Sequence, residues 1–358
     1  MEEQSAEQTQ LPFEFYGRGG EYFGIWIVNL LLTIVTLGLY TPWAKVRTKR
    51  YFYGKTILNN ANFTYLADPM AILKGWLIAV VVLIIYSVAT NFFPLLEIPF
   101  FILFIAVLPL LIVRSMAFRA RNSAWQNIRF DFKGRYGEAA KIYILWGFLG
   151  TILSLGLLMP YAQYRQNRFL IENSGYGKSD FEFKANTSDF YIIYLIAFGI
   201  VMLFSILIGV VTSVGMVGVI SQNPELGSQA MDNPETAMFA AQVMMMPLFF
   251  LMYLILIAYV QSRVGNIVWN NVHIKGNGMV SSLRARDLMW IYFTNLLAII
   301  FSFGLLVPWA KVRTVRYRLN KLQLLASDNL DQFVQAERNY VSALGEEMGD
   351  VFDIDIGI

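Results

Sequence analysis

Three pairs of arginines are the strongest candidates for a binding site in this sequence. Each pair has the spacing i, i+3, which places both side chains on one face of a helix. Guanidinium groups bind phosphate oxygens through paired hydrogen bonds, so the expected ligand is an anion such as a phospholipid headgroup. With two neighbouring lysines, the candidate residues are Lys45, Arg47, Arg50, Arg165, Arg168, Lys311, Arg313 and Arg316. The simpler alternative is a set of positive anchors that bind no ligand.

These arginines lie in a segment that occurs three times. The copies read TLGLYTPWAKVRTKRY over 36–51, SLGLLMPYAQYRQNRF over 154–169 and SFGLLVPWAKVRTVRY over 302–317. Recurrence of one supersecondary unit indicates an internal repeat. Trp43, Tyr161 and Trp309 follow the prolines and are predicted to anchor the chain at a membrane interface, where amphipathic rings are enriched.

The composition indicates a membrane protein. Hydrophobic residues make up 56% of the chain and charged residues 15%, against roughly 45–50% and about 25% in soluble domains. Apolar runs at 71–93, 98–113, 190–220 and 237–260 have about the length that crosses a bilayer core. Three more, at 22–40, 142–161 and 288–309, lead into the repeated motif. We expect an all-α polytopic membrane protein with internal pseudo-repeats and four to seven membrane segments.

Short segments of alternating apolar and polar residues indicate strands outside the membrane. They lie at 13–15, 63–65, 130–132, 181–183 and 272–274. The stretch 121–130 also matches 265–274, with Asn122 opposite Asn266 and Trp125 opposite Trp269. The predicted units are therefore 1–129, 130–271, a partial third unit at 272–321, and a cytoplasmic C-terminal helix and acidic tail at 322–358.

The distribution of Lys and Arg constrains the topology. Basic loops remain cytoplasmic, yet seven alternating spans would place 165–184 and 263–286 outside. Four spans with three re-entrant or interfacial segments keep every basic loop, and the C-terminus, inside. Gly38, Gly156 and Gly304 could break the helix in each repeated segment. The alternative is an ordinary helix end followed by proline.

Polar residues within the repeated segments permit a second hypothesis. Asn29, Thr36, Ser154, Asn295 and Ser302 could line a polar path in a channel or transporter, or could simply form packing hydrogen bonds. The four long runs carry no ionisable residue near their centres, although ion-coupled transporters usually need one.

The segments FEFYGRGGEYF and NLLLTIVTLGLYTPWAKVRTKRYF, with the ending GEEMGDVFDIDIGI, resemble the YjgN-like family of bacterial inner-membrane proteins, whose domain is of unknown function. The resemblance implies a multi-pass protein of the bacterial inner membrane. It implies no substrate and no site residues.

The remaining expectations concern chemistry and partners. No catalytic, metal-binding or cofactor motif is present, so we expect a non-enzymatic protein that binds membrane lipids and no nucleic acid. A scaffold that recruits a cytoplasmic partner, or a homo-oligomer, is the further alternative. The stretch 311–337 has a helical periodicity and is predicted to form a helix that could lie on an anionic membrane surface. The tail around Asp353 and Asp355 alternates apolar and acidic residues, as an edge strand does.

Overall fold

The computed structural model describes residues 9–222, 225, 234–327 and 330–340. The acidic tail with Asp353 and Asp355 lies outside these residues. The helices are α1 (Gly19–Val35), α2 (Thr41–Gly54), α3 (Pro69–Phe92), α4 (Glu97–Arg121), α5 (an α-helical turn Tyr136–Ala139, a π-helical stretch Ala140–Gly150 and a last turn Thr151–Leu153), α6 (Met159–Glu172), α7 (Thr187–Gln222), α8 (Pro234–Asn270), α9 (Ala285–Phe301), α10 (Val307–Asn320) and α11 (330–340). The strands are β1 (Thr9–Pro12), β2 (Glu14–Phe15), β3 (Thr56–Leu58), β4 (Ala61–Tyr65), β5 (Ser123–Trp125), β6 (Ile128–Phe132), β7 (Ser174–Tyr176), β8 (Ser179–Asp180), β9 (Glu182–Phe183), β10 (Val272–Ile274), β11 (Asn277–Ser281) and β12 (Leu322–Ala326).

Within the described part of the chain, four stretches are long and apolar enough to cross a membrane: Pro69–Phe92, Pro94–Arg121, Thr187–Gly215 and Met245–Asn270. They correspond to the four long apolar runs of the sequence. None of the residues in the most apolar part of α3 is buried inside the protein, as expected for a helix whose surroundings are lipid. The protein is thus a helical membrane protein, in agreement with the expected class.

Five times the chain follows the same order of strand, helix, returning helix and strand. We call these stretches modules 1 to 5, over 9–58, 61–125, 128–176, 179–274 and 277–326. Modules 2 and 4 contain the long helices, and modules 1, 3 and 5 contain short helical hairpins built from the repeated motif. Long and short hairpins therefore alternate along the chain.

The strands close into a ring. The pairing order is β1-β12-β11-β10-β9 in one sheet and β2-β3-β4-β5-β6-β7-β8 in the other. Phe13 alone separates β1 from β2, and Phe181 alone separates β8 from β9, so two continuous strands pass from one sheet into the other. β1, β2, β8 and β9, at the ends of the two sheets, each pair on one side only, so the ring is joined at these two places by the continuous strands.

Both ends of the ring are defined by its connections. Two-residue turns at 59–60, 126–127, 177–178 and 275–276 join the modules at one end, which we call the turn end. Positive φ angles at both residues of three turns, such as 46° and 57° at Asn59 and Asn60, are those of tight hairpins. Because every paired strand is antiparallel, all five helical hairpins leave from the opposite end, the helix end.

The helices pack side by side in chain order. Within the short modules α1 packs on α2, α5 on α6 and α9 on α10, and α10 returns to pack on α1. Hydrophobic clusters lie where neighbouring modules meet, for example Phe15 and Tyr22 of module 1 against Val312 of module 5. The ring of strands is thus continued by a ring of helices.

Three expectations need correction or relocation. The continuous helix over 311–337 is wrong, because alternate burial makes 322–326 a strand paired with β1 and β11. The match of Asn122 with Asn266 is also wrong: Asn122 corresponds to Asn271, since each ends its helix by donating to a carbonyl one turn back. The unit boundary at 129/130 lies inside β6. Each of the five segments of alternating residues overlaps a strand, with Phe13 and Phe181 between two strands.

Candidate functional site

The three short hairpins share one turn between their helices. Leu37, Leu155 and Phe303 have φ near 50°, and the glycine after each has φ near 90°. Glycine adopts this left-handed conformation without strain. The chain then reverses, and Pro42, Pro160 and Pro308 occupy the first turn of the returning helix, where proline is tolerated because its position needs no N–H donor.

The turn satisfies its own backbone donors. In the first copy Leu37 N donates to Ile34 O and Gly38 N donates to Thr33 O at 2.7 Å. The next otherwise unpaired amide, Tyr40 N, donates to the Thr36 hydroxyl at 3.0 Å. Ser154 and Ser302 accept from the amides of Leu158 and Leu306 in the same way, at 2.9 and 3.0 Å. A turn whose N–H groups are all bonded internally can lie in hydrocarbon.

The tips of these hairpins are apolar and exposed. Leu37, Leu155 and Phe303 are 92%, 95% and 97% exposed. A large apolar side chain in a left-handed conformation at the most exposed point of a turn is unfavourable in water.

The predicted polar-path residues form hydrogen bonds inside their own hairpins. Asn29 and Asn295 donate across the hairpin to Ala44 O at 3.4 Å and Ala310 O at 3.2 Å. Thr36, Ser154 and Ser302 stabilise the turns as described. One acceptor is left over: Asn29 Oδ1 has no partner although Asn29 is only 5% exposed.

The second arginine of each pair is used in structural contacts. Arg50 donates to Tyr65 O at 3.4 Å and to Ala67 O at 3.1 Å, and so fixes the connection into α3. Arg316 donates to Gly17 O at 2.7 Å and fixes the connection into α1. Arg168 forms an ion pair with Glu172 at 2.9 Å within α6. The second arginine of each pair therefore already has a partner within the protein.

The first arginines differ among the copies. Arg313 donates to Thr294 Oγ1 at 2.7 Å and to Asn295 Oδ1 at 3.3 Å. Arg47 is exposed and Arg165 half-buried, and within the described residues neither has a hydrogen bond or ion pair. Arg47 occupies the position of Arg313 in its copy, and Asn29 occupies that of Asn295. Arg47 and Arg165 are thus the arginines open to a ligand.

The two motif lysines also differ. Lys311 Nζ donates to the Tyr22 hydroxyl at 3.3 Å and lies 5.3 Å from the Tyr22 ring and 5.0 Å from the Phe52 ring, joining module 5 to module 1. Lys45 is exposed and has no such partner among the described residues. Among the described residues, the motif cations without a hydrogen bond or ion pair are therefore Lys45, Arg47 and Arg165.

The predicted interfacial rings pack close to the hairpin turns. Trp43 stacks on Tyr40 with ring centroids 6.0 Å apart, and Tyr161 meets Trp146 edge to face at 5.2 Å. Trp309 lies 5.2 Å from Phe23 and covers Gly19, where an added Cβ would lie 2.2 Å from the indole. These rings contact the protein on one side, and Trp309 remains 40% exposed on the other.

A recurring tyrosine contact was missed in the sequence. The hydroxyl of Tyr51 accepts from Arg18 N at 2.8 Å, and that of Tyr317 accepts from Arg284 N at 3.0 Å. Burial raises the pKa of both hydroxyls. The signal was present, since both tyrosines directly follow the second arginine of the motif, whereas the middle copy has Phe169.

The strands of the ring line an apolar chamber of about 700 Å³. Its wall includes Leu58, Phe63, Trp125, Ile274, Leu322 and Leu324. Phe63, Trp125 and Tyr176 form a line of ring contacts along it, with centroids 6.1 and 5.9 Å apart. At the helix end the wall contains the ends of returning helices, including Ala120 of α4 and Asn167 of α6.

Two charged side chains line the helix end of this chamber, Arg119 and Asp131, and Asp131 forms an ion pair with Arg121 at 3.2 Å. Arg119, two residues before the end of α4, lines the chamber and donates to Ser115 Oγ at 3.0 Å. Nearby, Lys49 donates to the Tyr65 hydroxyl at 3.3 Å. Burial, together with the charges of Arg119 and Lys45, lowers the pKa of Lys49. Since Asp131 is paired with Arg121, Arg119 and Lys49 leave the helix end of the chamber with an excess of positive charge.

Helix α11 closes the turn end. Leu330 and Phe333 form part of the chamber wall. Glu337, 1% exposed, accepts from Lys178 N and from Ser179 Oγ, both at 2.6 Å. Gly177 is required beside it, because an added Cβ would lie 2.3 Å from the carboxylate. This carboxylate, which sequence reasoning did not single out, holds the helix across the ring.

No group of three or more His, Asp or Glu side chains within the described residues is placed to hold a metal ion.

A model of a bacterial protein family of unknown function, DUF898, matches residues 10–351. The chain belongs to the DUF898 family. Inner membrane protein YjgN of Salmonella typhimurium is 25% identical over 345 residues, which cover 87% of each chain. Inner membrane protein YjgN of Escherichia coli O157:H7 is 29% identical over 157 residues, covering 42% of this chain and 39% of its own. That of Escherichia coli K12 is 51% identical over 53 residues, 15% of this chain and 13% of its own. No solved structure matches this DUF898 chain.

Proposed function

We propose that this DUF898 protein is a non-enzymatic protein of the bacterial inner membrane that binds anionic lipid headgroups at the cytoplasmic surface. One observation carries the proposal: apolar, exposed hairpin tips stand within two helical turns of unpaired cations. An apolar tip favours hydrocarbon, and cations just below it favour the phosphate layer. The partners we propose are membrane lipids, not nucleic acid.

The proposed topology has four spans and three re-entrant hairpins. All five helical hairpins leave the ring from one end, so hairpins that enter the membrane do so from the same side. The basic stretches lie near that end, whereas the connection at 93–97 beyond α3 carries no Lys or Arg. The positive-inside rule then makes the ring, its strands and α11 cytoplasmic. This arrangement also gives the C-terminus a cytoplasmic location.

The short hairpins have the right reach for one leaflet. Helix α2 begins at Thr41, so Arg47 lies six residues, or about 9 Å, along the helix from the turn. If Arg47 is level with the phosphates, the tip enters the hydrocarbon by about 10 Å, which is less than half of a core about 30 Å thick. We infer that the three hairpins are copies of one re-entrant unit.

The proposal is tested by removing the three unpaired cations together. At about 1 kcal/mol per basic residue near an anionic surface, a variant with Lys45→Gln, Arg47→Gln and Arg165→Gln should bind phosphatidylglycerol roughly 100-fold more weakly. Native mass spectrometry of the purified full chain, titrated with phosphatidylglycerol, measures this affinity.

A matched control removes the same charge elsewhere. Arg129, Lys178 and Lys275 are exposed and lie at or beside the two-residue turns of the ring. Their replacement by glutamine should leave the affinity unchanged. Equal affinities for the two triple variants would refute a headgroup site at the hairpins.

A further inference from the structure

We propose that the chamber inside the ring is a second binding site, which takes the hydrocarbon chain of an anionic amphiphile. The residues of this site are separate from the hairpin cations, and only its orientation toward the membrane rests on the topology proposed above. The ligand class follows from three properties of the chamber: its apolar wall, its single closed end and its cationic opposite end.

The chamber has the size and lining of a ligand site. Protein interiors are packed to nearly crystalline density, with few voids larger than a water molecule. A volume of about 700 Å³ is in the range of small-molecule sites, about 300–1,000 Å³. Aromatic and aliphatic side chains dominate the wall of the ring, so water there finds few hydrogen-bond partners. A hydrocarbon chain matches this wall.

The direction of entry follows from the fold. At the turn end α11 crosses the ring, with Leu330 and Phe333 in the chamber wall and Glu337 bonded to the β7–β8 turn. Arg338 of the same helix donates to Gln126 Oε1 in the β5–β6 turn at 3.2 Å. At the other end the wall is formed by the ends of helices that run toward the membrane. A chain therefore enters from the helix end and points toward α11.

The head of the ligand would remain at the helix end, near Arg119 and Lys49. Arg119 is the arginine in the chamber wall, and its bond to the Ser115 hydroxyl leaves guanidinium donors for an anion. Carboxylate and phosphate both match a guanidinium. The shared chemistry is an anionic head on one hydrocarbon chain, supplied either by a free fatty acid or by one acyl chain of a membrane phospholipid.

The test fills the chamber from two sides. Ala120→Trp adds bulk at the helix end and Met279→Trp adds it inside the ring, without removing any hydrogen bond described for these side chains. Ala106→Trp, on the exposed surface of the same helix as Ala120, is the matched control. The full chain in lipid nanodiscs is titrated with tritiated palmitate, and thermal unfolding verifies that each variant folds. We expect saturable binding by the wild type and by Ala106→Trp, weakened roughly tenfold or more in both filled variants.

Two further arms identify the head and the source. Arg119→Gln should weaken binding of palmitate while leaving binding of hexadecanol, which lacks the charge, nearly unchanged. If phosphatidylglycerol nanodiscs weaken palmitate binding and phosphatidylcholine nanodiscs do not, the natural ligand is the acyl chain of an anionic membrane lipid. If palmitate binds equally in both, the natural ligand is a free fatty acid. The proposal is overturned if palmitate does not saturate, or if both filled variants fold and bind palmitate as the wild type does. Loss of palmitate binding leaves the headgroup proposal standing, since that proposal depends on other residues.

Discussion

Removing one hydroxyl from a hairpin turn measures whether that turn lies in hydrocarbon. In Thr36→Val the amide of Tyr40 loses its acceptor, and in Ser302→Ala the amide of Leu306 does. Valine has nearly the same volume as threonine, and alanine is only slightly smaller than serine. The other hydrogen bonds of the turns, such as Gly38 N to Thr33 O and Gly304 N to Ile299 O, both at 2.7 to 2.8 Å, are backbone bonds and remain.

The two possible surroundings give different magnitudes. In water the freed N–H group bonds to solvent, and the loss is about 1 kcal/mol. In hydrocarbon it stays unpaired, and the transfer of such a group from water costs about 4–8 kcal/mol. With partial relaxation of the turn we expect a loss of roughly 3 kcal/mol or more for each variant.

The assay is reversible unfolding of the full chain in lipid bicelles, measured for each single variant. Thr212→Val is the matched control. Thr212 lies in the spanning helix α7 and its hydroxyl donates to Ile208 O at 2.7 Å, as the Thr36 hydroxyl does to Leu32 O. Of these two threonines, only Thr36 also accepts a hydrogen bond from a backbone amide. The difference in unfolding free energy between Thr36→Val and Thr212→Val therefore measures the contribution of that accepted bond. Losses near 1 kcal/mol for both Thr36→Val and Ser302→Ala would place the turns in water and refute re-entrant insertion.

Two other predictions test the ring. Glu337→Ala removes a buried carboxylate that accepts two hydrogen bonds, each worth about 1.5–3 kcal/mol, so thermal or denaturant unfolding should show a loss of about 3 kcal/mol or more. Glu182→Ala, which removes an exposed ion pair with Lys184 at 3.3 Å, should cost less than about 1 kcal/mol, and a similar cost for both changes would contradict the role of Glu337. The chain has no cysteine, so single introduced cysteines report topology. Asn60→Cys, at the turn end, should react with an impermeant maleimide only after the cells are opened. Leu95→Cys, in the connection beyond α3, should react in intact cells. Labelling of Asn60→Cys in intact cells would invert the proposed orientation.

The membrane-crossing helices could be predicted from sequence because their signal is local. A run of about 20 apolar residues is sufficient by itself, and the predicted runs differ from α3 and α7 by only a few residues at each end. The break in the repeated segments was also readable, since glycine and proline act on the chain next to them. What the segment does after the break, a full reversal into a hairpin, depends on contacts such as Asn29 to Ala44 across the turn.

The ring could not be predicted, because its strands are short and its pairing is non-local. β8 has only two residues, too few for alternation to be recognised, and the alternation at 181–183 indicated β9 without its partner strand. The turns 59–60 and 126–127 contain Asn-Asn and Gln-Asn, which suit positive φ less strongly than Asn-Gly does. Closure between β1 and β12 joins residues more than 300 positions apart. The chamber follows only from that closure, so no sequence signal could have found it.

The arginine pairs were identified by spacing, but spacing does not reveal what a side chain is already bonded to. Nothing in the sequence around Arg50 and Arg316 distinguishes them from an arginine without a partner in the protein. They are occupied because each points at a connection brought close by the ring, to Ala67 O and Gly17 O. The separation of structural from available arginines is therefore a property of the tertiary fold.

The departure of the middle copy from the motif has a physical reason in the contact between modules. Gln163 replaces the motif lysine and accepts from the hydroxyl of Tyr194, 31 residues later, on the first helix of the next module. Gln261 accepts from Tyr292 with the same separation of 31 residues, again across a module boundary. Lys311 meets Tyr22 where the last module closes on the first.

The residue at the position of the motif lysine thus matches the aromatic side chain that faces it from the next module. Position 76, which is 31 residues after Lys45, is a tryptophan without a hydroxyl. Lys45 consequently has no tyrosine oxygen to bond, which leaves its ammonium exposed beside Arg47. The contact that explains Gln163 therefore predicts that the surface of module 1 contributes more to anion binding than that of module 3 or module 5. Two single substitutions test this prediction. Lys45→Gln should weaken phosphatidylglycerol binding, whereas Lys311→Gln should mainly lower stability.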